Sequence, residues 1–186
     1  MQEVDAIKQL DTVHLIGHLL KRRCSEQMAD VWHIGLNLAL RISDLLSIRF
    51  DDIDGQRLRL TENKTGKRAD IPLNRKALER IERIRAQFPC HVYLFQSYRN
   101  AQSFRGSPRP LSRRAVSAAF ALVGEELGLR LGTHSMRKTR GYLLYQQTKD
   151  IGRVMHMLRH SKESVTLRYI GITRAQIDHD FLSLEL

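Results

Sequence analysis

The first forty residues carry apolar side chains at helical intervals. Ile7, Leu10 and Val13 recur at every third position, and a similar apolar series follows the break near residue 24. Apolar residues spaced by three or four positions fall on one face of an α-helix. The pattern therefore predicts two helices, over residues 6–22 and 26–40.

After Arg49 the pattern changes to the alternation that is typical of strands. Residues 57–61 and 69–73 alternate apolar and polar side chains, and residues 64–67 between them contain a Thr-Gly turn signal. Two alternating runs joined by a short turn predict a β-hairpin. Residues 50–53 add a short third strand, so we predict a small antiparallel three-stranded sheet.

The rest of the chain reads as further helices that begin at small polar residues. Ser, Thr, Asp and Asn favour helix N-caps because their side chains accept hydrogen bonds from the first turn. Along the whole chain the predicted N-caps are Ser25, Asn74, Ser112, Thr133, Asp150 and Ser161. Gly128 ends the helix that begins after Ser112, and residues 106–111 form a loop. The predicted fold class is α+β, mainly helical with a minor sheet.

Length and composition limit the broad class of the protein. The chain has 186 residues, 42% of them hydrophobic and 27% charged, which suits one globular domain. No apolar run approaches the roughly 20 residues needed to cross a bilayer, so no membrane partner is expected. The N-terminus carries acidic residues and lacks the basic start of a secretion signal. We therefore expect a cytoplasmic protein.

The net charge is the bulk property that says most about the partner of the protein. It is +11 at pH 7, and a surface this cationic attracts polyanions such as nucleic acid. A solvated basic face, or a protein that targets ribosomes or anionic membranes, would give the same value.

Cys24 and Cys90 are single, distant thiols without the spacing of a zinc site. The pairs His14/His18 and His156/His160 have the spacing of helical metal ligands but lack completing residues, so no metal is expected.

The C-terminal third contains the residues that indicate chemistry. Thr133–Lys138 includes His134 and Arg137, and it is followed by Leu158-Arg159-His160 and then by Thr166-Leu167-Arg168-Tyr169. Phosphoryl transfer without a metal needs fixed cations and hydrogen-bond donors around the phosphate, and tyrosine can act as its nucleophile. The order of these residues thus suggests covalent chemistry on a DNA phosphate. Each pair alone has an ordinary explanation, such as a capping histidine, a surface arginine or a core tyrosine.

Two upstream residues complete a recognisable series. Arg41 follows the apolar run that ends at Leu40, and Lys64 stands beside the hairpin turn. The full series is Arg41, Lys64, His134, Arg137, His160 and Tyr169. It resembles the catalytic set of the tyrosine recombinases, the lambda-integrase-like family, from about Arg41 onward. The sequence departs from the usual family pattern at three positions, where it has Ser135, Lys138 and Arg159; many relatives have glycine at the last of these.

The resemblance implies a role for each residue. Arg41 and Arg137 would clamp the non-bridging oxygens of the scissile phosphate while His160 donates a further hydrogen bond. His134 would assist the tyrosine or position the phosphate, and Tyr169 would be the nucleophile. Lys64 would protonate the leaving 5′-hydroxyl, although a turn lysine is commonly just solvated and Lys67 could take the role instead.

Local geometry adds two expectations. Arg41 and Asp44 are three residues apart, so on one helix they would share a face and Asp44 could orient the guanidinium; a surface ion pair is the alternative. His160 and Tyr169 are nine residues apart, which on one unbroken helix would separate them by about 13 Å along the axis. The chain must therefore turn between them, and Ser161 is the expected start of a new helix.

The function that the resemblance implies is site-specific DNA recombination: integration, excision, inversion or resolution. Strands would be cleaved and rejoined through a 3′-phosphotyrosyl intermediate without metal, ATP or other cofactor. The partner would be double-stranded DNA, with a homotetramer on paired sites and a monomer or weak oligomer without DNA. We expect residues 1–186 to be a single catalytic domain of a bacterial, phage or plasmid recombinase, without a separate N-terminal core-binding domain. A DNA-binding relative without catalysis and a type IB topoisomerase-like enzyme are the alternatives.

Overall fold

The protein is described by a computed structural model that covers residues 4–97, 107–171 and 174–183. Helices predominate, as predicted. They are α1 (Leu10–Arg23), α2 (Glu26–Leu38), α3 (Ile42–Leu46), α4 (Arg75–Gln87), α5 (Arg113–Leu127), α6 (Ser135–Thr148), α7 (Ile151–Leu158), α8 (Glu163–Ile170) and α9 (Arg174–Ser183). The strands are β1 (Ile53–Asp54), β2 (Arg57–Thr61) and β3 (Arg68–Pro72).

The three strands form one antiparallel sheet in the order β1-β2-β3. Its register pairs Leu58 with Ile71 and Leu60 with Ala69. Leu58 and Ala69 are buried and Leu60 and Ile71 are half-buried, while the residues that alternate with them in β2 and β3 are exposed, so one face of the hairpin packs on the core. This confirms the predicted fold class. The predicted third strand is displaced, since Phe50–Asp52 is a turn of 3₁₀ helix and β1 begins only at Ile53.

A large apolar core lies between the sheet and the helices α1 to α5. Trp32 of α2 is fully buried in it, donates its indole N–H to the carbonyl of Val13 at 3.0 Å, and meets the ring of Phe120 edge-on. A second, smaller core is formed by Ala39, Val154, Leu158 and Ile170. This second core joins the end of α2 to α7 and α8.

Four of the predicted N-caps are confirmed. In each case a side-chain oxygen accepts a hydrogen bond from a backbone N–H in the first turn. These caps are Ser25, Asn74, Ser112 and Asp150. Gly128 ends α5 in the left-handed conformation, with φ of 64°, as expected of a C-terminal glycine.

Several predicted boundaries are wrong. The first helix begins at Leu10 rather than at residue 6. The second ends at Leu38, because Ala39 adopts a left-handed conformation with φ of 51°. The N-cap of α6 is His134 and not Thr133, and the N-cap of α8 is Lys162 and not Ser161. Neither His134 nor Lys162 accepts a hydrogen bond with its side chain from the first turn of its helix. Of the loop predicted at 106–111, residue 106 lies outside the described residues.

No helix among the described residues is both long enough and apolar enough to cross a membrane.

Candidate active site

Arg137 occupies the centre of the site and is almost completely buried, with 1% of its surface exposed. It lies in the first turn of α6. One guanidinium nitrogen donates to the carbonyl oxygen of Ala39 at 2.5 Å, and the other donates to that of Leu158. Those carbonyls belong to the ends of α2 and α7, where helices leave unpaired carbonyls. Arg137 therefore ties three segments of the fold together.

The turn predicted between His160 and Tyr169 is present. Helix α7 ends at Leu158, and Arg159 follows in a left-handed conformation with φ of 50°. Helix α8 then carries Tyr169, whose ring meets the ring of His160 edge-on at a centroid distance of 4.7 Å. His160 also hydrogen-bonds through Nδ1 to Thr166 Oγ1 at 3.0 Å. A helix break thus brings together two residues that one straight helix would separate.

Tyr169 also reaches α6. Its hydroxyl lies 3.1 Å from Nδ1 of His134, within hydrogen-bonding distance. Lys138, one turn further along α6 and buried, holds its Nζ 5.7 Å from the centre of the Tyr169 ring. Three of the predicted site residues, His134, His160 and Tyr169, therefore form one contiguous group.

Arg41 joins this group by a different route from the one expected. It was predicted to lie within a helix, but the break at Ala39 leaves it as the extended N-cap of α3. Its guanidinium pairs with Glu62 at 2.9 Å. Its charge still acts on the other site residues, since it helps to lower the pKa of Arg137, His134 and His160.

The expected contact between Arg41 and Asp44 is wrong. Arg41 is the N-cap of α3, and its guanidinium pairs with Glu62 instead. Asp44 is fully buried, and its Oδ1 accepts hydrogen bonds from the backbone N–H of Asn63 at 2.9 Å and from Ser43 Oγ at 3.4 Å. Asp44 therefore fixes the start of the hairpin turn instead of orienting the arginine.

Lys64 lies in the turn between β2 and β3 with its side chain exposed, as does Lys67. The turn is held at its base by Glu62, whose N–H donates to the carbonyl of Lys67 and whose own carbonyl accepts from Gly66, both at 2.9 Å. The structure thus places Lys64 two residues from a side chain that contacts Arg41, on a segment exposed to solvent.

The electrostatics of the site keep its histidines neutral. Burial and the charges of Arg137 and Arg41 lower the pKa of His160 to about 4. Burial also lowers the pKa of His134, with further contributions from neighbouring cations. Burial and the charge of Arg41 lower the pKa of Arg137 to about 10, so its guanidinium remains protonated at neutral pH. A buried cationic pocket of this kind favours an anion.

Sequence reasoning missed three residues of this pocket. Glu62 gave no signal, because a glutamate at the end of a strand is ordinarily solvated. Lys138 and Arg159 were noticed as departures from the family pattern, but their contacts with Tyr169 and Glu62 depend on how distant segments meet. Among the described residues, no group of three or more His, Cys, Asp or Glu side chains could hold a metal ion.

Comparison with known proteins places the chain among integrases and recombinases. A family model described as the phage integrase family matches residues 9–175. The probable integrase/recombinase YoeC of Bacillus subtilis strain 168 is 34% identical over 177 residues, which cover 92% of each protein. These matches extend over nearly the whole chain.

Solved structures show the same fold. The crystal structure of XerA recombinase matches with a TM-score of 0.72 at 12% identity, covering 99% of this chain and 68% of that one. A lambda integrase dimer bound to a COC′ core site matches with a TM-score of 0.71 at 18% identity, covering 91% of this chain and 49% of that one. The family model and the close similarity to YoeC together show that this chain belongs to the phage integrase family of tyrosine recombinases.

Proposed function

We propose that this chain cleaves and rejoins DNA strands at specific sites through a covalent bond between Tyr169 and a 3′-phosphate. The observation that supports this most strongly is the convergence of Tyr169, His134 and His160 beside the buried Arg137. His134 and Arg137 come from the start of α6, His160 from the turn after α7 and Tyr169 from α8. No requirement of the apolar core explains why two imidazoles, a phenol and a guanidinium should meet there. A phosphoryl-transfer site requires such a group.

The nucleophile needs a proton acceptor, because the phenol must lose its proton as its oxygen attacks phosphorus. His134 is neutral and has Nδ1 3.1 Å from the hydroxyl of Tyr169. In the tautomer that leaves Nδ1 unprotonated, this nitrogen accepts the phenolic proton as the oxygen attacks phosphorus. The new bond joins Tyr169 Oη to phosphorus, and the bond to the 5′-oxygen of the next nucleotide breaks.

The phosphate needs positive charge and hydrogen-bond donors as it passes through the transition state. Arg137 and Arg41 supply two guanidinium groups, which bind phosphate oxygens well because their donors are planar and paired. His160 can donate through Nε2, since Thr166 holds its Nδ1 and its low pKa keeps the ring in a single-proton form at neutral pH. The roles expected from sequence thus remain our proposal for these residues.

The leaving 5′-oxygen must gain a proton, which we assign to Lys64. Its exposed position on the hairpin turn suits contact with a DNA backbone that approaches from outside. Lys67 is the neighbour that could act in its place. Because the phosphotyrosyl ester conserves the energy of the phosphodiester, a 5′-hydroxyl from another strand can reverse the step with neither ATP nor metal.

We propose double-stranded DNA as the partner and a homotetramer on two paired sites as the active assembly. The net charge of +11 favours binding to a phosphate backbone. The XerH structures of this fold were determined with difH DNA, in pre-cleavage and post-cleavage complexes. On α9, Phe181 and Leu182 expose 83% and 80% of their surfaces, which offers an apolar contact to a second subunit. Without DNA we expect a monomer or weak oligomer.

The test is covalent trapping. A duplex selected by the wild-type chain from a randomised library is nicked beside the cleaved bond, so that the short 5′-hydroxyl fragment diffuses away. Denaturing electrophoresis should then show a protein–DNA adduct for the wild type and none for Tyr169→Phe, although both bind the duplex. If the wild type binds but forms no adduct, the protein is a non-catalytic DNA-binding relative.

Plasmids with and without the selected site distinguish recombination from topoisomerase activity. A plasmid with two selected sites should give excised or inverted products, while a supercoiled plasmid without the site should stay supercoiled. Relaxation of the site-free plasmid with no recombinant products would instead indicate a type IB topoisomerase-like enzyme.

A further inference from the structure

The cationic pocket contains a buried carboxylate, that of Glu62. Only 1% of its surface is exposed, although glutamate is rarely buried unless it is paired. It accepts a hydrogen bond from Arg41 at 2.9 Å, one from Thr65 at 2.7 Å, and one from Arg159. Glu62 therefore joins the residue before α3, the hairpin turn and the end of α7 at one point.

Arg159 is bound to this carboxylate despite an unfavourable backbone. Its φ of 50° and ψ of 44° are left-handed, a conformation that costs a side-chain-bearing residue about 1 kcal/mol relative to glycine. Its side chain is 22% exposed and forms an ion pair with Glu62 through Nε, while Nη2 is buried with no hydrogen-bond partner among the described residues. A long cationic side chain at this strained position needs a compensating interaction, and Glu62 provides one.

Glu62 also separates two positive charges. Arg41 and Arg159 both approach it, and like charges at such distances repel strongly in a partly buried site. Burial alone would raise the pKa of Glu62, but hydrogen bonds from Thr65 and Arg159 and the charges of both arginines bring it down to about 2. The carboxylate is therefore charged at all physiological pH values.

The backbone of Glu62 fixes the turn that carries Lys64. Its N–H and its carbonyl both form hydrogen bonds within the turn, to Lys67 and from Gly66. The side chain of Thr65, next to Lys64, donates to the same carboxylate. A shift of Glu62 would accordingly move Arg41 and the turn together.

We propose that Glu62 and Arg159 form a clasp that positions Arg41 and the Lys64 turn for the scissile phosphate. Both are positioning residues that act through Arg41 and the turn. The clasp rests on the proposed strand cleavage. It assigns a function to Arg159, the residue that stands where many relatives of this family have glycine, and couples that function to Glu62.

The clasp predicts a separation between binding and cleavage. Glu62→Gln keeps the size of the side chain but removes the charge that holds the two arginines. Misplacing groups of a phosphate site by about 1 Å costs about 100-fold in rate, so cleavage of the nicked selected duplex should slow by about that factor. Affinity for the same duplex should be unchanged or tighter, because one negative charge is lost near the phosphate. Loss of folding would weaken both.

Arg159→Gly tests the other half, and glycine suits the left-handed backbone, so this variant should fold. It leaves Glu62 with one fewer cation, so the carboxylate competes with the phosphate for Arg41, and cleavage should slow. The double variant Glu62→Gln/Arg159→Gly removes both charges. If the two substitutions acted independently, the slowing in the double variant would be the product of the two single slowings. Because residues in contact are coupled, we expect the double variant to cleave at least about tenfold faster than that product predicts.

Asp70→Asn is the matched control. This substitution also removes one carboxylate charge. Asp70 lies in β3 and pairs with Arg57 at 2.6 Å, but its side chain is 51% exposed and lies outside the pocket. Its cleavage rate should equal that of the wild type. Urea unfolding of each variant establishes that the compared proteins are folded.

Three results would overturn the clasp while leaving strand cleavage intact. One is wild-type cleavage by Glu62→Gln. A second is an independent, multiplicative effect of the two substitutions. The third is a decrease of about one in the salt dependence of DNA binding for Arg159→Gly, which would mean that Arg159 contacts a phosphate directly. If the wild-type chain itself forms no adduct, the proposed function fails and the clasp fails with it.

Discussion

Replacing Arg137 by glutamine should slow cleavage strongly while changing stability little. The guanidinium is almost completely buried and donates to the carbonyls of Ala39 and Leu158. It is thus both a phosphate ligand in our proposal and a link between helices. The substitution removes the charge but keeps an amide that can donate to one of the two carbonyls.

Two opposing contributions to the free energy of unfolding can be compared. One buried carbonyl loses its donor, which costs about 1–3 kcal/mol. The charge itself opposes folding, because burial and Arg41 lower the pKa of Arg137 well below its ordinary value, to about 10. The unfolded chain therefore holds this proton more tightly than the folded protein does. One pKa unit corresponds to about 1.4 kcal/mol, so removing the charge should raise the free energy of unfolding by about 3 kcal/mol. The two contributions are similar in size and opposite in sign.

We therefore expect Arg137→Gln to change the free energy of unfolding by less than about 2 kcal/mol, measured by urea denaturation at pH 7.5. Single-turnover cleavage of the nicked duplex should fall by about 1000-fold, the upper range for removing one fixed donor to a developing anion. Arg137→Ala is the comparison variant. It leaves both carbonyls without a donor, so it should be less stable than Arg137→Gln.

Two results would contradict this reasoning. A loss of more than about 4 kcal/mol in Arg137→Gln would mean that the guanidinium stabilises the fold more than its burial costs. Cleavage within about tenfold of the wild type would mean that the buried pocket is not where the phosphate reacts.

Three further predictions concern stability. Gly17→Ala should lower the free energy of unfolding by about 1–3 kcal/mol, because the added methyl group would overlap the imidazole of His33; urea denaturation measures the loss. Asp150→Ala should cost about 1 kcal/mol, since the carboxylate caps α7 by accepting from the N–H of Arg153 at 3.0 Å, and Asp150→Asn should retain most of the stability. His33 and His160 both have a pKa lowered to about 4, so below about pH 6.5 the unfolded chain binds more protons than the folded protein. The urea concentration at the unfolding midpoint should therefore fall between pH 7 and pH 5. His33→Gln should reduce that fall, and an unchanged pH dependence of the midpoint would show that His33 does not contribute.

The sequence determined those features that depend on neighbouring residues. The four confirmed N-caps at Ser25, Asn74, Ser112 and Asp150 each need only a side-chain oxygen within three residues of the N–H that it accepts. The presence of the hairpin followed from alternation and a turn glycine, with its second strand shifted by one residue from the predicted bounds. The order of the site residues was also sufficient to indicate the family, because it is a one-dimensional property of the chain.

Tertiary structure decided the contacts within the site. The residues around Ala39 carry no local signal for its left-handed conformation, which ends α2. At this break the carbonyl of Ala39 accepts a hydrogen bond from Arg137, which is 98 residues away in sequence. The break makes Arg41 an N-cap, so its partner is Glu62 and not Asp44. Interactions between residues far apart in sequence depend on how buried segments pack, and no local pattern of hydrophobic and polar residues contains that information.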